Sequence, residues 1–268
     1  MQLNENNYYT GEADMEYWSA SQYKDFVGTY GRVGCEFRAM KKLKGQWKED
    51  PSDALLIGSY VDAYFDGVNE FHTFRAGHPE LFKPSGELYQ KYQIAEKMID
   101  RVKRCRKMIQ MLSGEHQVIM TGEMFGAKWK IKMDSYFPRK SIIDLKTTEK
   151  VDRAHYIKDL GYPVSFVQYW GYDIQGAVYQ EIVRQNTGMR LPFFVAAVDK
   201  QRHPTVFLGR VPQYLLDDAL GKIEADMPHL IRVKNGLESP SECGICNCCR
   251  DFYDPKEPID LDMLRLSF

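Results

Sequence analysis

The chain has 268 residues, 44% of them apolar and 27% charged, with 36 Lys and Arg against 37 Asp and Glu. This ordinary globular composition excludes a disordered chain, and the length suffices to bury a core without disulfides. A formal net charge of −1 excludes a uniformly basic nucleic-acid coat but leaves room for a local basic patch. The longest apolar run, Leu191 to Val198, contains a proline and falls short of the ~20 residues that a membrane span needs. Met1 to Thr10 is polar, without the apolar centre of a signal peptide. A soluble, cytoplasmic protein with no membrane association is expected.

Residues 1–18 read as an acidic, irregular lead-in. Ser19 with Gln22 makes a capping-box pattern for a short helix, Ala20 to Val27. A second short helix covers Cys35 to Leu43. Ser52 or Asp53 caps a third, Ala54 to Asp66, which Gly67 stops. The apolar positions Leu88, Tyr92, Ala95, Ile99, Val102 and Ile109 recur at steps of three and four or their multiples. They predict one long helix from about Glu87 to Leu112. Its Lys103, Arg104, Arg106 and Lys107 read as a solvated face or as a DNA contact.

Val118 to Phe125 is a strand. From Ala127 the period becomes two, with Trp129, Ile131 and Met133 on one face and Lys128, Lys130, Lys132 and Asp134 on the other. Phe137-Pro138-Arg139-Lys140 turns the chain into Ser141 to Thr147, so 127–147 is a predicted hairpin. A helical stretch from Val164 to Thr187 follows. A strand pair, Pro192 to Val198 and Thr205 to Val211, precedes a helix over 212–234. The layout is α/β or α+β.

The chemistry concentrates in Ile143-Asp144-Leu145-Lys146-Thr147. On a strand, Asp144 and Lys146 share one face while Ile143 and Leu145 point into a core. Asp134, on the partner strand, can approach Asp144 across the ladder. A bare Asp-x-Lys reads as a surface ion pair. Two carboxylates converging with a lysine instead make a place for Mg²⁺ or Mn²⁺, which prefer carboxylate oxygens. Such a trio suits phosphodiester hydrolysis: the cation offsets phosphate charge, and the lysine orients water or stabilises developing charge.

Met133-Asp134, then Asp144-Leu145-Lys146-Thr147 after nine residues, resembles the core of the PD-(D/E)XK nuclease superfamily. More narrowly it resembles the RecB-like and exodeoxyribonuclease VIII (RecE-like) branch of phage exonucleases. In that branch a helix after the core carries Gln-x3-Tyr, matched here by Gln175 and Tyr179, which share a helix face. An overlapping copy is Gln168 with Tyr172. A helix before the core carries Gly-x3-His, with His as a metal ligand; here Gly58 is followed by Asp62. The resemblance implies an α/β, restriction-endonuclease-like core with a mixed central sheet flanked by helices. One nuclease domain over 1–268 is expected, with a helical lead-in (1–52) and a C-terminal cysteine segment (236–268).

By the same resemblance, Asp62, Asp134, Asp144 and the backbone carbonyl of Leu145 hold Mg²⁺ or Mn²⁺, and Lys146 is the catalytic lysine. Gln175, Tyr179 and Lys132 contact the substrate. Glu123, on the strand before Asp134, is expected as an outer ligand or a substrate-facing carboxylate. The implied activity is metal-dependent DNA exonuclease action on duplex ends, of the phage or prophage recombination type, with a single-strand annealing protein as partner. Two rivals are an iron–sulphur nuclease of the CRISPR-adaptation kind and a catalytically silent DNA-binding or scaffold module.

Of six cysteines, Cys243, Cys246, Cys248 and Cys249 crowd into one short segment. In a reducing cytosol the spacing Cys243-x2-Cys246-x2-Cys249 reads as metal binding or redox chemistry. Some RecB-type nucleases hold an iron–sulphur cluster with one Cys before the core and three after it. The resemblance thus implies Cys35, Cys243, Cys246 and Cys249 as ligands of [4Fe–4S] or, equally in number, of Zn²⁺. Lys128, Lys130 and Lys132, the group Lys41, Lys42, Lys44 and Lys48, and the turn Lys200, Arg202 and His203 are candidate backbone contacts. With no recognition helix in sight, DNA binding without sequence preference is expected.

Overall fold

A computed structural model describes residues 1–254; positions 255–268 of the expected C-terminal segment lie outside the described residues. Side-chain caps set the first helices. α1 (Gly11–Glu16) begins at Thr10 and α2 (Ala20–Val27) at Ser19, each hydroxyl accepting the N–H three residues on. A small hairpin of β1 (Gly28–Thr29) and β2 (Arg32–Val33) leads to α3 (Glu36–Leu43), capped by the sulfur of Cys35. Ser52 caps α4 (Asp53–Asp66), and Gly67 ends it at φ 140°.

α5 (Val68–Gly77), two 3-10 turns (Pro79–Leu81 and Gln90–Tyr92), α6 (Ile94–Lys103) and α7 (Arg106–Met111) follow. The single helix expected over Glu87 to Leu112 is therefore broken, with Cys105 extended at φ −98° and ψ 97°. Its apolar period survives the breaks because Leu88, Tyr92, Ala95, Ile99 and Val102 all pack into one cluster. Ile109 is exposed and Met108 is buried in its place.

β3 (Val118–Met124) and β4 (Ala127–Met133) form a hairpin through Phe125 and Gly126, both at positive φ. β5 (Ser135–Phe137) turns into β6 (Ser141–Thr148). Their pairing runs only from Ser135↔Ile143 to Phe137↔Ser141, so the expected 127–147 hairpin is short, and β4 pairs with β3 instead. After β7 (His155–Ile157) and β8 (Tyr162–Val164), left-handed Gly171 separates α8 (Phe166–Tyr169) from α9 (Tyr172–Thr187). This divides the helical stretch expected over Val164 to Thr187. β9 (Phe193–Asp199), β10 (Val206–Arg210), α10 (Gln213–Lys234) and α11 (Asn247–Asp251) complete the described chain.

The central sheet has the order β10-β9-β6-β5, with β6 and β9 parallel and the outer pairs antiparallel. It is the mixed sheet that the motif resemblance implied. Ile142, Val195 and Ala197 pack towards α2, α9, α10 and the β3–β4 hairpin. Ile143, Leu145, Ala196 and Val198 pack towards α4, α6 and α7. Both faces of the inner strands are thus covered, as parallel pairing favours. Among the described residues, no helix is long and apolar enough to cross a membrane.

Candidate metal-dependent active site

Pairing between β5 and β6 stops at Ser135↔Ile143. Beyond it β6 lacks a strand partner on that edge, and a buried backbone N–H there needs another acceptor. Asp134, at the break between β4 and β5, supplies one: its Oδ2 accepts from the Leu145 N–H at 2.8 Å. The same break brings Asp134 beside Asp144. Asp134 thus comes beside Asp144 from a break between strands, through its side chain, and not across the ladder of the expected hairpin.

Asp144 is 1% exposed, under α9. Its Oδ1 accepts from Gln175 Nε2 at 2.7 Å, and its Oδ2 stands 2.5 Å from Lys146 Nζ. One turn along α9, the Tyr179 hydroxyl donates to the Lys132 carbonyl at 2.8 Å. Gly176, between the two, permits this close approach of α9 to the sheet: a Cβ there would lie 2.5 Å from the Phe193 ring. The overlapping pair Gln168 and Tyr172 is split by Gly171. Tyr172 instead offers its ring to Lys146 and Lys24, whose ammonium nitrogens lie 5.4 and 5.6 Å from its centroid.

Asp62 arrives on α4. Gly58 lets that helix approach β6, since a Cβ there would lie 2.9 Å from Thr147 Oγ1. One turn later Asp62 enters the cleft that Lys132, Asp134, Asp144, Lys146, Gln175 and Tyr179 also line, of about 420 Å³. Behind it, Leu145 lines a small recess with Asp62, Asp66, His116 and Asp134.

Burial pushes the Asp62 carboxyl up to about 7; Lys146 opposes this, and Asp66 and Asp144 add to it. Burial, then the neighbouring Asp144, pushes Asp134 well above the usual carboxylate range. For Lys146, burial acts against the charge, but Asp144 and Asp134 outweigh it and hold the ammonium above the ordinary lysine range. Asp62 Oδ1 is buried with no hydrogen-bond partner. Such an orphaned acceptor is costly unless a ligand satisfies it. Three carboxylates, with Asp62 Oδ1 unpartnered and Asp144 Oδ2 left only its ion pair with Lys146, fit a hard divalent cation. Among the described residues the carboxylates do not close as tightly as the thiols below.

Glu123 is not part of this site. The β3–β4 register pairs Glu123 with Lys128 and Val118 with Met133. Glu123 is therefore exposed at the far end of the hairpin, about five residues and roughly 17 Å of strand from the Asp134 end. Its backbone, not its carboxylate, is held, by the amide of Gln185.

The lysine stripe also divides. Lys132 lines the cleft, Lys130 is buried and donates to Asp14 at 2.7 Å and to the Tyr8 carbonyl, and Lys128 pairs with Glu16 at 2.9 Å. Lys42 pairs with Asp25 at 2.6 Å, and Lys41 lies over the Phe252 ring. Sequence reasoning missed Tyr8, Asp14 and Lys24. Burial and Lys146 bring the Lys24 ammonium down to about 8. No motif marks these residues, because they come from the lead-in and α2. Asp66, one turn beyond Asp62 on α4, accepts from Gln117 at 2.5 Å in the recess wall.

The Sγ atoms of Cys35, Cys243, Cys246 and Cys249 all lie within 4.8 Å of one another. Cys35 and Cys249 are 3.5 Å apart, and Cys243 and Cys249 3.9 Å. The N–H groups of Arg38, Cys246 and Cys249 each point at a sulfur of the set at 3.4 Å. For Cys243, burial is outweighed by the N–H groups of Ile245 and Cys246, which bring its thiol down to about 6. Burial instead raises the Cys35 thiol and pushes that of Cys249 up to about 12, so a cation would be needed to hold those two as thiolates.

Over residues 19–252 the sequence matches the family described as a PDDEXK-like domain of unknown function (DUF3799). The crystal structure of a candidate exonuclease from Eubacterium rectale is similar along 100% of both chains, at 50% sequence identity and a TM-score of 0.94. The structure of SSO0001 aligns with 70% of this chain and 81% of its own, at 12% identity and a TM-score of 0.28, too low to bear on function. No curated protein matches the sequence. With Asp134, Asp144 and Lys146 gathered on the sheet and the match spanning most of its length, the chain belongs to the PDDEXK-like domain family, within the PD-(D/E)XK superfamily that its motifs resemble.

Proposed function

We propose that this protein is a Mg²⁺- or Mn²⁺-dependent deoxyribonuclease that hydrolyses phosphodiester bonds at duplex DNA ends without sequence preference. The observation that carries this reading is the meeting of Asp62, Asp134, Asp144 and Lys146 in one cleft. Asp62, Asp134, Asp144 and the Leu145 carbonyl would hold the cation, which when bound supplies Lewis-acid charge against the phosphate. Lys146, kept protonated by its two carboxylate neighbours, donates to the attacking water or to the phosphate oxygen on which charge develops. Gln175 fixes the rotation of the Asp144 carboxylate. Tyr179 anchors the backbone at Lys132, whose ammonium meets the incoming strand. The name of the Eubacterium rectale relative supports exonuclease rather than endonuclease action. A recombination role beside a single-strand annealing protein follows from the motif resemblance.

The thiolate set is proposed to hold one Zn²⁺. Around a tetrahedral zinc with Zn–S near 2.3 Å, sulfurs stand roughly 3.8 Å apart. A [4Fe–4S] cube places four irons between its thiolates and spreads them further. The observed separations favour the single ion. Elemental analysis of purified protein should give one zinc per chain and no visible absorbance band; iron with a broad visible band would reverse the assignment.

The activity test uses end-labelled linear and covalently closed circular duplexes with Mg²⁺ or Mn²⁺. Linear DNA should be degraded and the circle spared, and Lys146→Ala should lower the rate about 10²–10³-fold. Intact linear DNA under both metals would leave the silent binding module as the better reading.

A further inference from the structure

Two basic stretches far apart in sequence meet on the surface. α6 and the residue after it contribute Lys97, Arg101, Lys103 and Arg104, and the turn between β9 and β10 contributes Arg202 and His203. They line a groove of about 820 Å³. α6 packs against β9, which sets the turn alongside the helix. Lys97, Arg101 and Arg104 recur at i, i+4 and i+7, one stripe about 10 Å long.

Charge in this groove is segregated rather than scattered. Asp100 is the single carboxylate in its wall, and among the described residues none of its five Lys and Arg side chains forms an ion pair. Some surface cations elsewhere are paired, Lys42 with Asp25, Lys91 with Asp53 and Arg184 with Glu181, while others such as Lys140 and Lys158 form no ion pair among the described residues but stand apart rather than in one groove. On a chain of formal charge −1, five unneutralised cations along one groove create a local positive field. A linear stripe of donors suits an extended polyanion better than a compact one, which needs donors converging on a point.

The groove shares no lining residue with the catalytic cleft, yet one layer joins them. α6 packs on α4, the helix of Asp62. Lys200, just before the basic turn, donates to the Ala54 carbonyl in the first turn of α4 at 2.8 Å, and its charge is felt at Asp62. The geometry points to a second DNA-backbone site: the groove between α6 and the β9–β10 turn holds the uncut flank of the duplex whose end enters the cleft. This inference rests on the nuclease reading and adds the path of the substrate beyond the reacting phosphate.

The test separates the two. Binding of a short labelled duplex to the full-length protein in EDTA, followed by anisotropy across a salt series, reports the groove without catalysis. Replacing Arg101, Arg104 and Arg202 together by Glu should weaken binding at least about tenfold and reduce the slope of log K against log salt by about 3. Arg202→Glu alone, on an exposed turn, should reduce it by about 1, which guards against a triple variant that fails to fold. Unchanged affinity and slope in both variants overturn the groove, as they would if it receives an acidic protein segment instead. Hydrolysis of a nitrophenyl ester of thymidine monophosphate by the unaltered protein with Mn²⁺ reports the cleft alone. Its absence alongside a reduced slope would sink the nuclease reading while the DNA groove stands.

Discussion

Asp62 occupies the position where the resembled motif carries histidine, and the exchange changes the acid–base behaviour of the site. A neutral imidazole leaves the cleft no more negative, whereas a third carboxylate adds charge where Asp134 and Asp144 already repel. Burial, with Asp66 and Asp144 beside it, raises Asp62 from 3.8 to about 7. Proton binding of this kind stabilises the fold below the unfolded value, and the contribution is lost as pH climbs from 3.8 through about 7. A cation must displace the same protons. Mn²⁺ affinity should therefore rise with pH up to neutrality, and Mn²⁺ should raise the melting temperature more in mildly alkaline than in mildly acidic buffer. Calorimetric titration in buffers of different ionisation enthalpy would count the released protons; an affinity flat across this range would remove Asp62 and Asp134 from the ligand set. Asp144 and Lys146 were legible because a period of two fixes which side chains share a face, whereas Asp134 sits at a strand break and was marked by the motif spacing. Glu123 was misread because face alone does not say how far along a hairpin a residue stands. Lys24 left no local signal, since its neighbours Lys146 and Asp144 are remote in sequence.

Two helices reach the central sheet at glycines, α4 against β6 and α9 against β9, and their spacing explains why motifs of this form work. Gly58 precedes Asp62 by one turn on α4, and Gly176 sits between Gln175 and Tyr179 on α9. In each case the missing Cβ lets the helix close on the sheet, and the functional side chain bridges the remaining gap. Gly58→Ala would force a methyl to within 2.9 Å of Thr147 Oγ1. Overpacking of this kind costs about 1–3 kcal/mol and would lift Asp62 away from the cleft. Thr147→Ala removes the opposing atom, so the double variant should recover much of both stability and Mn²⁺ binding, with a coupling of about 1 kcal/mol or more in a double-mutant cycle. Additive losses would show that α4 does not depend on this contact. The strand β6 was readable from its alternation and β9 from its apolar run, whereas the breaks at Cys105 and Gly171 were not. A helical period persists across a break when the separate pieces face the same core.

At the scale of the whole molecule, the thiolate set joins residues 214 positions apart, Cys35 at the start of α3 and Cys249 within α11. The junction is broader than the sulfurs. Phe252 packs edge-on against Phe37 and Trp47, Glu36 holds His229 at 2.7 Å and the Ser241 N–H at 2.8 Å, and Lys41 lies over the Phe252 ring. The cysteine spacing announced a metal site, but the partner at Cys35 was implied only by resemblance, because nothing local connects a helix cap to a distant segment. The junction also bears on the cleft: Asp25, Lys42 and Leu43, from α2 and α3, line the wall opposite the sheet. A metal that binds the folded chain and not the unfolded one stabilises by mass action. Removing it should lower the melting temperature and loosen that wall, so the Michaelis constant for DNA should rise before the turnover number falls. Cys246→Ser should reproduce both effects, while Cys105→Ser, outside the set, should leave them largely unchanged. A chelated protein that melts and cleaves like the untreated one would show that the aromatic and ionic contacts hold the C-terminal segment alone, and that the thiolates serve some purpose other than joining the two ends of the fold.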